Sequence, residues 1–158
     1  MSKIITLVSL FPKQTAEIAD EVCDILNKFL LVASDLVDYE ISDKTEMENT
    51  CGKDYLDKCI NKVLSSITDY ENAIVAMDYN LLFRPKILER FKEKTNIVFI
   101  KLDKDYEQLL AKDYATFEDR EKRICNNSKL IIDATGLERD EIVLQVVRQI
   151  TPLIVSEV

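Results

Sequence analysis

Histidine is absent from this 158-residue chain, and glycine occurs only at Gly52 and Gly136. Without histidine the sequence forgoes the commonest general base near neutral pH and the commonest metal ligand. With two glycines it cannot build a glycine-rich loop whose consecutive backbone N–H groups turn inward on a phosphate. The four cysteines, Cys23, Cys51, Cys59 and Cys125, never form a Cys-x-x-Cys pair. Zinc-site spacing is therefore missing and no metal is expected. No apolar run approaches the length of a membrane span. The first strand-like run starts almost at Met1, so no signal peptide is expected and a reduced, cytoplasmic setting is the simplest reading. Basic residues are also short: 21 Lys and Arg face 29 Asp and Glu, a net charge of −8. Phosphate backbones and anionic lipid surfaces would be repelled, so neither nucleic acid nor membrane is expected as a partner.

What is present is an ordinary soluble balance, 47% hydrophobic and 32% charged residues, long enough for one domain with a real core over residues 1–158. Short, nearly continuous apolar runs recur at Ile4–Leu10, Phe29–Ala33, Ala73–Met77, Ile97–Leu102 and Leu130–Ile132. Rich in β-branched residues, they predict strands buried on both faces of a parallel sheet. Helical spacing fills the intervals. Thr15–Phe29 carries Ile18, Val22, Ile25, Leu26 and Phe29 on one stripe, and Lys53–Ile67 carries Tyr55, Leu56, Cys59, Ile60, Val63 and Leu64. Arg84–Lys94 follows, with Pro85 suited to its first turn. Then come short helices at Asp105–Lys112 and Phe117–Cys125, and a last one at Glu138–Ile150. Cys23 and Cys59 read as small core residues. Ser42–Cys51 is polar and predicts a mobile loop. Pro152 is expected to stop the last helix, leaving apolar Leu153-Ile154-Val155 to pack back onto the domain or to meet a partner. Alternating strands and helices imply right-handed crossovers and an α/β fold of three layers, helices on both sides of a five-stranded parallel sheet.

Several strings then resemble the shikimate kinase family, in the family's order and over nearly the whole chain. Gly52-Lys53-Asp54-Tyr55-Leu56-Asp57, followed by Val63-Leu64, is similar to its G-E-x-Y/F-F-R…V-L helix start. Asn72–Asn80 resembles the strand leading into its G-G-G turn. Arg84–Leu88 and Asn96–Leu102 resemble the helix and strand after that turn. Arg120, with Ser128–Leu137, resembles the R-x-P-L-Y…A-D-x-V-V-D-T-x-G-L ending. The functional motifs depart from the family's. In the first strand-to-helix turn, where the family keeps its phosphate-binding loop, Ser9 and Gln14 take the positions of two glycines. Thr15 takes that of the lysine, and Ala16 that of the magnesium-binding hydroxyl. Moving Lys13 to the lysine position breaks the apolar stripe of the helix. Of the family's D-x-D only the second carboxylate remains, at Asp35. A substrate-holding arginine becomes Asp57, the G-G-G turn becomes Asp78-Tyr79-Asn80, and the lid, shortened to about Lys112–Thr116, has no arginine. Arg120 matches the second substrate-binding arginine.

Phosphoryl transfer needs backbone donors on the phosphates, a cation at the γ-phosphate and a magnesium ligand, and this sequence lacks each at its expected place. The resemblance thus implies a non-catalytic kinase-like domain, with no cofactor, that binds a partner protein or a small polar ligand. The alternative is an active ATP- and Mg-dependent kinase of shikimate or another small molecule, with an altered phosphate loop and Lys13 or Lys101 as substitute cation. Candidate ligand-binding residues are Asp35, Asp78, Tyr79, Asn80 and Arg120, at the carboxyl edge where open α/β sheets bind ligands. The same residues could instead cap helices and satisfy loop donors. Asp57 and Arg120 either face each other across the substrate position or are unrelated surface charges. Asp78 with Lys101 is also similar to a phosphoreceiver domain, although the acidic pair expected after its first strand is missing. The sequence leaves the oligomeric state open.

Overall fold

The computed structural model describes residues 4–103 and 114–155. Its strands are β1 (Ile4–Val8), β2 (Phe29–Val32), β3 (Ala73–Met77), β4 (Thr95–Lys101) and β5 (Leu130–Asp133). They pair in parallel in the order β2-β3-β1-β4-β5. The order places β3 between β2 and β1, whereas a receiver domain has β1 between β2 and β3, and this removes the phosphoreceiver reading. Helices α1 (Pro12–Leu26), α2 (Ala33–Glu40), α3 (Lys44–Cys51), α4 (Lys53–Ile67), α5 (Tyr79–Leu82), α6 (Ile87–Lys94), α7 (Tyr114–Asn127) and α8 (Arg139–Val155) complete the described chain.

Strand pleating sorts the core into two halves. Ile5 and Leu7 of β1 join Ile74, Ala76, Val98 and Ile100 beneath α1 and α8. Ile4 and Val8 face the other way, toward Val75, Met77, Ile97 and Phe99 and the inner residues of α2, α4 and α6. Helix α7 bridges the halves, giving Phe117 to the first and Ile124 to the second. The three-layer α/β arrangement is the one expected. Thr6, buried at the centre of β1, donates to Thr95 Oγ1 at 2.9 Å, and Thr95 Oγ1 donates to the Phe91 carbonyl at 2.7 Å. A buried polar pair on central strands thus costs the core little.

Several local expectations are corrected. Ser42–Cys51 is not a loop: Asp43 caps α3 by accepting from the Glu46 N–H at 2.9 Å, and Met47 packs on the second core half. Helix α1 starts earlier than expected, with Pro12 in its first turn, and stops at Leu26. Asn27 (φ 55°) there takes the left-handed conformation that glycine usually supplies. Phe29 accordingly opens β2 instead of ending the stripe and is exposed, as are Ile25 and Tyr55, both placed on buried stripes by spacing. Pro85 lies before α6 instead of in its first turn, because Lys86 (φ 71°) breaks the backbone. Helix α8 continues through Pro152: Leu153 and Ile154 are packed against the first core half, and this burial outweighs the lost N–H. The helix expected at Asp105–Lys112 lies outside the described residues. So does the start of the expected lid at Lys112–Thr116, whose last three positions belong to α7.

Candidate functional site

Three strand-to-helix turns leave neighbouring strands at the carboxyl edge of the sheet. The first, after β1, is closed upon itself. Ser9 is fully buried, and its Oγ accepts from the Phe11 N–H at 3.0 Å. That oxygen also lies 3.1 Å from the Phe11 carbonyl and 2.6 Å from Thr15 Oγ1, itself 3.3 Å from the same carbonyl. Two hydroxyl hydrogens therefore bind Ser9, Thr15 and Phe11 into one small network. The Phe11 ring is 4% exposed and meets Phe117 of α7 with centroids 5.9 Å apart. Leu10 packs against both core halves and Ala16 against the first. Lys13 is exposed and Gln14 half-buried.

The turn after β3 differs. Asp78 holds the N-cap position of α5, and its carbonyl accepts from the Leu82 N–H at 3.0 Å, yet its side chain makes no capping bond. Burial, with smaller contributions from the negative charges of Asp35 and Asp38, raises the Asp78 carboxyl above the usual carboxylate range. Asp35 stands in the first turn of α2, after β2, and is exposed. The structure thus brings Asp35 and Asp78 near enough to interact electrostatically, as their strand ends predict.

Tyr79 is half-buried and stacks on Phe83 with centroids 4.5 Å apart. Arg120 of α7 lies over the Tyr79 ring at 5.1 Å, and Arg123 lies over the Phe83 ring at 4.4 Å. Cations and aromatic faces attract in this arrangement. Arg120 and Tyr79 are therefore together, while Asn80 is exposed beside them. Sequence reasoning missed Phe83 and Arg123. Their signal was a matching spacing: Arg120 and Arg123 at i, i+3 on one helix, Tyr79 and Phe83 at i, i+4 along the other segment. Asp57 does not face Arg120. It accepts from Arg84 at 3.0 Å, and Arg84 also donates to Asn61 at 2.9 Å, so this charge ties α4 to the segment before α6.

At the ends of β4 and β5, Lys101 pairs with Glu121 at 3.4 Å. Asp103 accepts the Gly136 N–H at 3.0 Å through either oxygen, where Gly136 adopts φ 78°. Hydrogen bonds from the Thr135 hydroxyl and N–H hold the Asp133 carboxyl below the usual range. In the first core half, burial and then Asp20 and Asp24 push the Cys23 thiol up to about 11, which leaves it an inert core residue. No described helix is long and apolar enough to cross a membrane.

No protein-family model and no curated protein matches the chain. Solved structures do. Shikimate kinase from Aquifex aeolicus is 16% identical with a TM-score of 0.73, over 94% of this chain and 96% of that one. Shikimate kinase from Acinetobacter baumannii, in complex with shikimate, is 13% identical with a TM-score of 0.72, over 99% and 95%. Dephospho-CoA kinase from Campylobacter jejuni is 10% identical with a TM-score of 0.67, over 100% of both chains. The fold of this chain is that of the shikimate kinases and related small-molecule P-loop kinases.

Proposed function

We propose that this is a non-catalytic kinase-like domain whose carboxyl edge binds a partner protein or a small ligand through a cationic or polar group. The observation that carries the reading is the closed first turn. A triphosphate in this fold needs outward-facing N–H groups after β1. Here the Phe11 N–H is bound to Ser9 Oγ, Pro12 has none, and Ala16 offers no hydroxyl to magnesium. The residues present do not fit ATP and Mg. Each missing charge-assisted contact costs on the order of 1.5–3 kcal/mol, so losing several removes micromolar affinity.

The second turn supports the binding half of the reading. Asp78 keeps a half-buried carboxyl that caps nothing, close to Asp35, with Tyr79 and Arg120 beside it and Asn80 exposed. Two acids at one edge favour a cation over an anion. The competing reading, an active small-molecule kinase with an altered phosphate loop, draws its support from the fold alone. Titration calorimetry with ATP, with and without magnesium, separates the two. The expected result is no measurable heat in either case. A micromolar, magnesium-dependent dissociation constant would overturn the proposal in favour of a kinase.

A further inference from the structure

On the face of the molecule covered by α1 and α8, two large apolar side chains are exposed: Ile25 at 54% and Leu144 at 56%. Amphipathic helices packed on a sheet normally turn polar residues to solvent, so these two are out of pattern. They line one groove of about 420 Å³ together with Glu21, Asp24, Asp140 and Val143. The spacing is the same on both walls. Glu21, Asp24 and Ile25 sit at i, i+3 and i+4 on α1; Asp140, Val143 and Leu144 do so on α8. Each helix therefore presents acid and apolar groups together on one face, with Val143 buried between them as the floor. Among the described residues no cation lines the groove. The nearby Arg139 is paired with Glu17 at 3.0 Å.

We propose that this groove docks a basic amphipathic helix of a partner protein. Apolar side chains of that helix cover Ile25 and Leu144, while its Lys or Arg residues reach Glu21, Asp24 and Asp140. A groove between two helices accepts a third by packing ridges into grooves, with anchors at i, i+3 and i+4. Charge decides among occupants. A second copy of this chain, net charge −8, meeting the same face by two-fold symmetry would set acid against acid. An anionic membrane surface would be repelled too.

The test uses the full chain and a fluorescein-labelled synthetic helix of leucine and lysine with leucines at i, i+3 and i+4. A glutamate-for-lysine version serves as comparison, and both are read by anisotropy. The lysine helix is expected to bind, more weakly as salt screens the acids. Ile25→Glu and Leu144→Glu should each weaken it about tenfold or more. Replacing Glu48 and Glu93 by glutamine, both acids exposed on the α3 and α6 side, should change it by less than about twofold. Should the glutamate variants fold poorly, amide shifts in the unsubstituted chain decide: the helix must move signals of α1 and α8 and spare α4. No binding, equal binding of the acidic helix, or equal loss in the Glu48/Glu93 variant overturns the proposal. So does a dimer in sedimentation that Ile25→Glu abolishes, which would give the groove to a second copy.

Discussion

The turn after β1 and the turn after β3 leave the same edge of one sheet from adjacent strands, yet they spend their polar groups in opposite ways. The first is short, glycine-free and bound to itself: Ser9 and Thr15 close on the Phe11 backbone, and the Phe11 ring is buried against Phe117. The second keeps a charge where burial opposes it, with Asp78 capping nothing and Tyr79 beneath a guanidinium. A turn that spends its hydroxyls and the Phe11 N–H on itself adds stability and leaves fewer groups for a ligand to use. A turn that holds a half-buried carboxyl without using it stores a cost that a cationic ligand could relieve. On this contrast rests the assignment of scaffold to one turn and binding to the other, and it can be broken at several points.

The largest effect is expected at Phe11. Its ring fills space between the first turn and α7, so Phe11→Ala should lower unfolding free energy by about 3–4 kcal/mol, measured by urea denaturation. A loss below about 1 kcal/mol would mean that the ring is not part of the packed scaffold, and the first turn would then be open to other uses. Ser9→Ala comes next. It strips the acceptor from the Phe11 N–H and leaves a buried donor unpaired, at a cost of about 1–3 kcal/mol. Near-neutral behaviour would show that the hydroxyl network is dispensable.

A smaller effect separates the two arginines of α7 from ordinary surface charges. Arg123→Ala should cost about 0.5–1 kcal/mol by removing a cation from an aromatic face, and Arg120→Ala less than that, both read from chemical denaturation. The second measurement sharpens the comparison. If Arg120→Ala costs nothing while Arg123→Ala does, Arg120 is held in reserve for a ligand; equal costs would make both of them structural clamps. Replacing Tyr79 cannot draw this distinction, since Tyr79 stacks on Phe83 and packs on the second core half.

The sheet was legible because parallel strands buried on both faces read as continuous β-branched runs, and Ile4–Val8 and Ala73–Met77 are such runs. Elements held by a few contacts were not. Helix α3 is polar apart from Met47 and Cys51, buries no residue fully, and hangs on the Asp43 cap and Met47, which no periodicity reports. The passage of α8 through Pro152 depends on where Leu153 and Ile154 find the core. Among site residues, the strand ends put Asp78 directly after β3 and Asp35 in the first turn of α2 after β2, because residues this close to the end of a parallel strand have little freedom. Long side chains were less legible. Family position left open whether Asp57 and Arg120 face each other; Arg84 claims the first and Tyr79 the second, and only the packing of α4 and α7 decides that.

The smallest effect is also the most direct test of the contrast. A carboxyl raised above its ordinary range in the folded chain, as Asp78 is by burial and by Asp35 and Asp38, binds its proton more tightly there than in the unfolded chain. Stability therefore falls as pH rises from the ordinary carboxylate range through the raised value, and the penalty is complete above it. Asp78→Asn removes the charge and keeps the shape. The variant should be more stable than the parent at neutral pH, by less than about 1 kcal/mol because a half-exposed carboxyl is screened by solvent. The advantage should vanish in acid, where the aspartate is neutral in both states. Denaturation curves of the two proteins across that range are the measurement. An asparagine that destabilises at neutral pH would mean that the carboxylate is held by donors as a working part of the scaffold. The two turns would then be alike, and the binding role of the second would have to be given up.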